Sequence, residues 1–396
     1  MKISGIICEY NPFHNGHLYH INETRKNGAT HIVAVMSGNF VQRGDVAVIN
    51  KFERAKAAVR CGVDLVIELP VAYCLSSAET YAKGAMYILK GLGCVDELSF
   101  GSECGDLSLL TAAVKASYAC ARMPELEDLM KLGNSYPKAL QILVRQNYGD
   151  EIGRLFGQPN NTLAIEYLKA MIAVKLKIQP FTVKRNELHD AMMPTGKIAS
   201  ASLIRQLMES QTDDYDDLVP EDSSEAISAC AAAGMVARFE HLERILLYKL
   251  RTASADEISG LPEVGQGLEN KILSARNETS LESMLLAMKS KRYTMARIRR
   301  ILLDLLIGIQ PKDTDAPPPY GRILALSERG RDILSAAKQA GTTLPYATSL
   351  AKLAELGGAC KECSDLEARA TAVYSLAQRT IQPADADYKQ MIGLIK

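Results

Sequence analysis

Short apolar runs alternate with longer stretches of mixed polarity over the first 105 residues of the chain. The apolar runs span 3–8, 31–36, 63–68 and 97–100, and the stretches between them span 15–26, 51–61 and 78–92. The short runs predict buried strands, and the longer stretches predict helices. Strands that are apolar at nearly every position indicate a parallel sheet covered on both faces. We therefore predict a doubly wound α/β sheet, whose ligands bind at the carboxyl ends of the strands.

The pattern changes twice after this region. Residues 106–150 are helical in pattern and are interpreted as an insertion, after which 158–205 return to a pattern typical of a functional site. Eight acidic residues and no basic residue lie within 209–225, which is typical of a linker. The remainder is mostly helical, with a break at 317–319 and a mixed segment beyond it. We predict a first domain over 1–210, an acidic linker over 211–225 and a mostly helical domain over 226–396.

Charge and cysteine content restrict the class of protein. The 46 basic and 46 acidic side chains balance, so any RNA site must be a local basic patch. No leader pattern precedes the first strand, and no apolar run is long enough to span a bilayer. The nine cysteines are scattered, as reduced thiols are. We expect a cytoplasmic protein that does not enter a membrane.

The strongest chemical signal is the segment that joins the first strand to the first helix. It reads Glu9-Tyr10-Asn11-Pro12-Phe13-His14-Asn15-Gly16-His17. Proline ends the strand, glycine lets the backbone approach a ligand, and the N–H groups at a helix start attract anions. His14 and His17 can both donate hydrogen bonds to charge that develops on a phosphate. We predict a phosphate-binding loop in which these two histidines are catalytic.

Paired histidines and cysteines also occur in metal sites. A helical histidine pair that shares a metal prefers a spacing of four, so the spacing of His14 and His17 favours phosphate. His20 extends the same helix face and is either a further ligand or structural. Cys360 and Cys363 form a lone CxxC without a second pair nearby, and we interpret them as ordinary cysteines near a helix end.

A second motif strengthens the nucleotide prediction. The HNGH sequence is similar to the HxGH signature of the nucleotidyltransferase superfamily, which also includes class I aminoacyl-tRNA synthetases. The partner signature of that superfamily resembles ISxTxIR, and this chain has IASASLIR at 198–205, with Ser202 where threonine is commoner. Ser200 and Ser202 are then expected to bind the β- and γ-phosphates, and Arg205 to bind them or the helix end. A serine-rich helix start is otherwise a capping motif.

Longer motifs resemble one bacterial family, the tRNA(Met) cytidine acetate ligases. These motifs are EYNPFHNGHLYHI, VMSGNFVQRGDVAVINKFERAKAA, GVDLVIELP, FGSE, QPNNTLAIEYLKA and KRYTMARIRRILL. The resemblance covers nearly the whole chain and is weaker in 106–150 and in the acidic linker. It implies a Rossmann-like nucleotidyltransferase domain that binds ATP over 1–210, followed by a helical domain that binds tRNA.

The resemblance also implies a reaction and a set of ATP contacts. The family activates acetate with ATP as acetyl-adenylate and transfers the acetyl group to N4 of the wobble cytidine of elongator tRNA(Met), giving N4-acetylcytidine. Magnesium is a plausible companion of the pyrophosphate. The implied ATP contacts are Ile7, Cys8, Glu9, Tyr10, Asn11, Pro12, Phe13, His14, Asn15, Gly16, His17, Leu18, Tyr19, His20, Gly101, Asn161 and Arg185. The family has a glycine-containing turn after the last of these, where this chain has Asn-Glu-Leu at 186–188.

Several of these positions have structural alternatives. Gly101 is either a turn glycine or a position where a side chain would collide with adenine or ribose. Asn161 precedes a predicted helix and is either an N-cap or a ligand. The basic residues of 42–44 and 51–54 are either a solvated loop or a face toward the RNA or the adenylate.

A basic segment in the helical half is the predicted tRNA contact. Residues 283–300 contain six basic side chains and no acidic one, and apolar residues at spacings of three and four predict a buried stripe. The arginines are then expected to project from the other faces toward RNA phosphates, with Tyr293 as the nearest stacking partner for an unpaired base. The predicted contacts are Lys291, Arg292, Arg297, Arg299 and Arg300. A solvated helix face is the alternative.

Three functions fit these motifs. The first is the acetate ligase that modifies tRNA. The second is a small-molecule nucleotidyltransferase that joins a nucleotide to a phosphorylated metabolite, which leaves the helical half unexplained. The third is a non-catalytic RNA-binding protein, which has no need of His14, His17 and Ser202. Oligomeric state does not follow from the sequence.

Overall fold

A mostly parallel sheet forms the centre of the computed structural model, which describes residues 1–185, 196–209, 215–265, 267–390, 392 and 394–395. The strands are β1 (Ile3–Cys8), β2 (His31–Ser37), β3 (Phe40–Val41), β4 (Asp45–Val46), β5 (Leu65–Leu69), β6 (Glu97–Ser102), β7 (Gln179–Lys184), β8 (Gly321–Leu326) and β9 (Tyr346–Ala347). The main sheet has the order β7-β6-β1-β2-β5-β8-β9, and β3 pairs with β4 in a separate hairpin. Of the main-sheet pairs among the described strands, β5–β8 is antiparallel and the others are parallel.

Helices cover both faces of the sheet and form most of the remaining structure. Those of the first half are α1 (Asn15–Lys26), α2 (Lys51–Arg60), α3 (Val71–Cys74), α4 (Ala78–Leu92), α5 (Leu107–Cys120), α6 (Glu125–Lys131), α7 (Tyr136–Tyr148), α8 (Asp150–Leu155), α9 (Pro159–Ala173) and α10 (Ala201–Glu209). Those of the second half are α11 (Glu221–Ala232), α12 (Glu243–Thr252), α13 (Ala255–Ser259), α14 (Leu268–Ser274), α15 (Leu281–Met288), α16 (Met295–Ile307), α17 (Glu328–Gln339), α18 (Leu350–Ala354), α19 (Gly358–Ser375) and α20 (Ala386–Lys389).

The predicted doubly wound sheet is confirmed. The four predicted strands and three predicted helices of the first 105 residues are present, with ends shifted by no more than two residues. Both faces are buried: one apolar core lies between the sheet and α4, α5 and α9, and another lies between the sheet, α1 and α2. Residues 106–150 are helical as expected, and they are inserted between β6 and β7.

The second half of the chain is not wholly helical. Strands β8 and β9 return to the sheet beside β5, so the end of the predicted helical domain completes the fold of the first. A core of the helical half also includes Phe40 and Val46 from the β3–β4 hairpin and Val71 from α3. The division at 211–225 therefore stays a prediction about composition, because packing joins the two halves.

Candidate active site

A cleft of about 190 Å³ opens at the carboxyl ends of β1, β6 and β7. Its walls come from the end of β1, the first turn and a half of α1, the β3–β4 hairpin, α9 and the segment before α10. Among the expected ATP contacts, Pro12, Phe13, Asn15, Leu18 and Asn161 lie outside the wall, and the others line it. The carboxyl edge of a parallel sheet is where the sequence pattern placed the ligand.

The two histidines of the loop are held in one tautomer by backbone amides. His14 is the N-cap of α1, and its Nδ1 accepts the Gly16 N–H at 3.1 Å. The Nδ1 of His17 accepts the His14 N–H at 3.2 Å. An imidazole nitrogen that accepts a hydrogen bond carries no proton, so each neutral ring carries its proton on Nε2. The rings stack with centroids 3.6 Å apart, so the loop presents two parallel N–H donors.

The absence of a side chain at Gly16 makes room for the His14 ring. A Cβ on Gly16 would lie 2.9 Å from His14 Cε1, which is closer than real contacts allow. The Gly16 N–H is also already bonded to that ring. The donors that this loop offers an anion are therefore mainly imidazole N–H groups, whereas the motif alone indicated both the imidazoles and the helix-start amides.

Burial keeps the three histidines of the loop uncharged. Desolvation, with the nearby Arg185 and Arg205 charges, lowers the pKa of His14 to about 3. Desolvation and Arg185 lower the pKa of His20 to about 4, and desolvation and His14 lower the pKa of His17 well below its usual value. His20 Nε2 lies 2.9 Å from the Ser99 hydroxyl, so its ring is tied to the sheet. All three rings are neutral near pH 7.

Acidification is expected to weaken the fold through these rings. The pKa of a histidine in an unfolded chain is about 6.5, whereas burial lowers the pKa of His14 in the folded chain to about 3. The stabilisation is complete above about pH 6.5 and is lost as the pH falls toward the folded pKa, because the unfolded chain takes up the proton first. We expect the free energy of unfolding to fall by on the order of 1 kcal/mol per pH unit from His14 alone. Urea unfolding at pH 7 and 5.5 measures this, and His14→Gln should have a shallower pH dependence; equal slopes would contradict the assignment.

The serine-rich motif contributes Ile198, Ser200 and Ala201 to the cleft wall. Ser200 lines the cleft, and its hydroxyl accepts the Leu203 N–H at 3.2 Å, so it also caps α10. Ser202 is exposed and lies outside the wall. Arg205 donates to the Asn11 carbonyl at 2.8 Å and to the Ser202 hydroxyl at 3.4 Å. This arginine therefore fastens α10 to the loop, and the predicted phosphate contacts of Ser202 and Arg205 stay a prediction.

Gly101 makes room for Arg185. It lies in β6, and a Cβ there would be 3.2 Å from Arg185 Cγ and 3.3 Å from Cδ. The turn-glycine interpretation is therefore wrong. Arg185 donates to the Asn160 side-chain oxygen at 3.2 Å and lines the cleft beside the histidines. The absence of a side chain at Gly101 therefore allows the Arg185 side chain to lie beside β6.

At the start of α9, Asn160 lines the cleft and the predicted Asn161 does not. Asn161 is fully buried, where it accepts the Cys104 N–H at 3.2 Å and donates to Gln158 at 2.6 Å. It is not the N-cap, because Gln158 is. Asn160 is the neighbour that reaches the cleft. Its N–H and that of Asn161 donate to the Glu103 carboxylate at 2.9 and 2.6 Å, so the glutamate of FGSE caps α9.

The sequence motifs missed part of the wall. Lys184 at the end of β7 and three aromatic residues, Tyr81, Phe100 and Tyr167, also line the cleft. The aromatic residues stand in apolar stretches, where the sequence pattern indicates core packing. Lys184 precedes the expected Arg185, so a strand that ends in a basic pair was the available signal.

The basic residues at 51–54 are buried, which corrects both interpretations of that segment. Lys51 and Arg54 have no exposed surface, so neither a solvated loop nor an RNA face exists at 51–54. Arg54 donates to the carbonyls of Glu9, Ser37, Gly38 and Ile49. It therefore joins the site loop to the end of β2. Gln42 and Arg43 do line the cleft, from the β3–β4 hairpin.

The basic helix uses its arginines inside the protein. Arg299 forms an ion pair with Asp45 at 3.0 Å, and Arg300, which is buried, pairs with Glu263 at 2.6 Å and donates to the Gln42 carbonyl at 3.2 Å. Arg297 donates to the Glu263 carbonyl at 3.1 Å. The expectation that these guanidinium groups point to solvent is wrong for Arg300. Tyr293 is buried in the helical core, so it is not a stacking partner for RNA.

The other two predicted tRNA contacts lie before α16. Arg292 donates to the Met130 carbonyl at 2.9 Å, while Lys291 is exposed. Contact between this segment and tRNA stays a prediction. Its most accessible member is Lys291.

Helix α16 holds the hairpin that carries Gln42 and Arg43. Gly44 has a φ of +71°, and a Cβ there would lie 2.7 Å from the backbone nitrogen of Arg300. Only glycine allows both this conformation and this approach. Together with the bonds of Arg299 and Arg300, the contact fixes one wall of the cleft to the helical half.

Arg300→Ala is therefore expected to weaken the fold by roughly 2–3 kcal/mol, because Glu263 loses its cation. We also expect a several-fold slower reaction in the cleft without any RNA. Thermal unfolding and ATP-dependent chemistry without tRNA check this, with the exposed Lys291→Ala as the control that changes neither. Parental stability and parental ATP-dependent chemistry in Arg300→Ala would contradict a structural role for the buried Arg300.

The described residues show neither a candidate metal site nor a candidate membrane-spanning helix. The described ranges contain no group of three or more His, Cys, Asp or Glu side chains arranged to hold a metal ion. Cys360 and Cys363 lie at the start of α19, and the Cys360 thiol is 3.6 Å from the Pro319 carbonyl. Among the described helices, none is long and apolar enough to cross a membrane.

Known proteins are similar to this chain over its full length. The model of the family described as HIGH Nucleotidyl Transferase matches residues 1–389. A relative from Alkaliphilus metalliredigens, named tRNA(Met) cytidine acetate ligase, is 38% identical over 95% of this chain and 94% of its own. A relative from Thermoanaerobacter sp. with the same name is 38% identical over 98% of each chain.

Solved structures agree with these relatives. The crystal structure of Thermotoga maritima TmcAL in an apo form has a TM-score of 0.92 and 31% identity, over 100% of both chains. A second TmcAL structure, bound with alpha-thio ATP, has a TM-score of 0.90 and 31% identity over 100% of both chains.

Proposed function

This chain belongs to the HIGH nucleotidyl transferase family, among relatives named tRNA(Met) cytidine acetate ligase, and we propose that it is such a ligase. It activates acetate with ATP as acetyl-adenylate and transfers the acetyl group to N4 of the wobble cytidine of elongator tRNA(Met). The observation that carries the proposal is the pair of stacked, neutral imidazoles of His14 and His17 in the cleft.

The first step is an attack of an acetate oxygen on the α-phosphorus of ATP. The bond between the α- and β-phosphates breaks, and pyrophosphate leaves with its electron pair. Negative charge grows on the phosphate oxygens, and donors placed beforehand stabilise it. The Nε2–H groups of His14 and His17 and the guanidinium group of Arg185 are those donors. The backbone amides that hold Nδ1 of both rings keep the donors in place before ATP binds.

The second step is an attack of the cytidine amine on the acetyl carbon. The bond between that carbon and the AMP oxygen breaks, and AMP leaves with the electron pair while the amine loses a proton. The products are N4-acetylcytidine and AMP. Because tRNA is the acceptor, we propose that the enzyme works in the cytoplasm.

Magnesium fits this site only as a companion of the phosphates. The described residues hold no carboxylate cluster in the cleft, and Glu9, which lines it, accepts the Gln42 N–H at 2.9 Å. Mg²⁺ keeps several water ligands and binds readily to phosphate oxygens. We propose that it accompanies the pyrophosphate and supplies charge neutralisation there.

A single assay tests the activity against its alternatives. The protein is incubated with ATP and labelled acetate, with and without bulk tRNA. Label in tRNA is expected, together with acetate-dependent exchange of pyrophosphate into ATP without tRNA. ATP turnover only with a phosphorylated metabolite indicates a small-molecule nucleotidyltransferase, and no turnover indicates a non-catalytic RNA-binding protein.

A further inference from the structure

A second, larger cleft lies beside the first. Its volume is about 560 Å³, and its walls come from both halves of the chain: the β3–β4 hairpin and α10 on one side, and residues 234–241 with Arg379 on the other. A cleft built from both halves is suited to a ligand that extends beyond one nucleotide.

The two clefts share their dividing wall. In the hairpin, Gln42 and Arg43 line the first cleft, while Asp45 and Val46 line the second. In the next segment, Ser200 and Ala201 line the first cleft, and Arg205, four residues later, lines the second. The segments 42–46 and 200–205 therefore contribute to both clefts, which places the second cleft next to the first.

Cations without acidic partners line the second cleft. Arg238 and Arg379 make no ion pair and no side-chain hydrogen bond within the part of the chain that the structure describes. Among the described residues, the hydrogen-bond acceptors of Arg205 are neutral, the Asn11 carbonyl and the Ser202 hydroxyl. Arg299 differs, because Asp45 neutralises it. The acids Glu209 and Glu240 also line the cleft, so its positive charge is moderate and concentrated at three guanidinium groups.

His241 adds a hydrogen-bond acceptor to the same wall. Its Nδ1 lies 2.7 Å from the Ala377 carbonyl. A carbonyl only accepts, so Nδ1 carries a proton and, in the neutral ring, Nε2 keeps a free lone pair. An exposed acceptor of this kind fits the 2′-hydroxyl of a ribose. Guanidinium groups fit phosphodiester oxygens, which bind them with two parallel hydrogen bonds.

We propose that the second cleft binds the backbone of the tRNA strand next to the acceptor cytidine, with Arg238 and Arg379 on its phosphates. The proposal rests on the proposed function, which supplies the RNA substrate. It places the RNA contact beside the adenylate, whereas the arginines of α16 are already bonded within the protein. This placement brings the acceptor cytidine close to the first cleft, where the acetyl-adenylate is proposed to form.

The test is the salt dependence of tRNA affinity in Arg238→Ala/Arg379→Ala. Binding of an elongator tRNA(Met) transcript is measured at several salt concentrations. Each phosphate contact on a single strand contributes roughly −0.7 to the slope of log affinity against log salt. We expect the slope of the double variant to be shallower by about 1.4, and the affinity at 0.1 M salt to fall by roughly tenfold or more.

The matched control removes the same charge elsewhere. Arg329→Ala/Arg331→Ala takes two exposed arginines from α17, on the far side of the sheet, and is expected to keep the parental slope and affinity. Acetate-dependent pyrophosphate exchange without tRNA should stay parental in both double variants, which also shows that they are folded. If the cleft variant loses exchange, Arg379→Glu, at an exposed position, replaces it and should weaken tRNA binding alone.

The outcomes separate the two proposals. Parental slope and affinity in the cleft variant, or an equal loss in the α17 control, overturns the RNA site. A higher KM for ATP with unchanged tRNA affinity also overturns it, because the cleft then serves the nucleotide. Absence of acetate-dependent exchange in the parent protein overturns the proposed function, while the tRNA measurements still decide the cleft.

Discussion

His14→Ala and His17→Ala are each expected to slow acetate-dependent pyrophosphate exchange by on the order of 100-fold or more, because each removes one donor to the charge that grows on the phosphates. The two rings stack, and Nδ1 of His17 is bonded to the His14 N–H. Loss of either ring therefore also loosens the other. The double variant should be little slower than either single variant, since the rings act as one unit.

The control for this experiment is His31→Ala. His31 lies at the amino end of β2, away from the cleft, where its Nε2 is 3.5 Å from Asp332. We expect parental exchange in this variant. His14→Ala also removes the helix cap, which typically costs about 1 kcal/mol, so thermal unfolding is measured alongside. Exchange near the parental rate in folded His14→Ala and His17→Ala would remove the histidines from the mechanism.

Lys51→Met is expected to have the largest effect on stability, at about 3–5 kcal/mol. Lys51 lies 2.6 Å from Glu68 and 2.8 Å from Asp387, and Arg322 lies 2.7 Å from Asp387. All of these side chains are buried. Burial opposes the charge of Lys51, but the Asp387 and Glu68 carboxylates outweigh it and raise its pKa. Removing the lysine leaves buried carboxylates that one arginine must neutralise.

A fifth member sets the charge balance of this network. Desolvation and the neighbouring Glu68 raise the pKa of Glu367 well above its usual value. This shift favours the uncharged form of Glu367, which limits the excess of negative charge beside Lys51 and Arg322. Lys51→Met combined with Asp387→Asn removes one charge of each sign, so it should recover part of the lost stability.

Lys56→Met on the same helix is the matched control. Lys56 is paired with Glu53 at 2.8 Å, and its side chain is 38% exposed. Surface pairs of this kind contribute at most about 1 kcal/mol. Denaturant unfolding compares the variants. If Lys51→Met and Lys56→Met unfold at the same denaturant concentration, the buried network contributes little to stability.

Sequence reasoning succeeded where local pattern decides the structure. The bounds of Ile3–Cys8, Asn15–Lys26 and Ala78–Leu92 match the structure, because apolar periodicity and flanking turn residues determine them. The phosphate loop was identified for a similar reason, since its histidines and glycine are adjacent in the chain. It failed for β8, whose partner strand β5 lies more than 250 residues earlier.

Basic residues show the same limit more clearly. Lys51 and Arg300 stand in sequences that predict a solvated or RNA-binding face. Their partners are Asp387, which is 336 residues from Lys51, and Glu263 with the Gln42 carbonyl. The local sequence around a basic residue does not reveal that an acidic residue distant in the chain lies beside it in the fold. The neighbours Asn160 and Asn161 illustrate a finer limit, because the exact phase of α9 decides which of them faces the cleft.

The capping of α9 by Glu103 removes a competing anion site from the edge of the cleft. A helix start beside a nucleotide site would normally compete for the phosphates, but here a carboxylate already bonds to the Asn160 and Asn161 amides. The amides at the start of α9 are therefore occupied by the protein's own carboxylate and are not open to a phosphate. The anion-binding groups left in the cleft wall include the side chains of His14, His17 and Arg185. An internal carboxylate thus occupies a competing anion site, so that the triphosphate is left to these side chains.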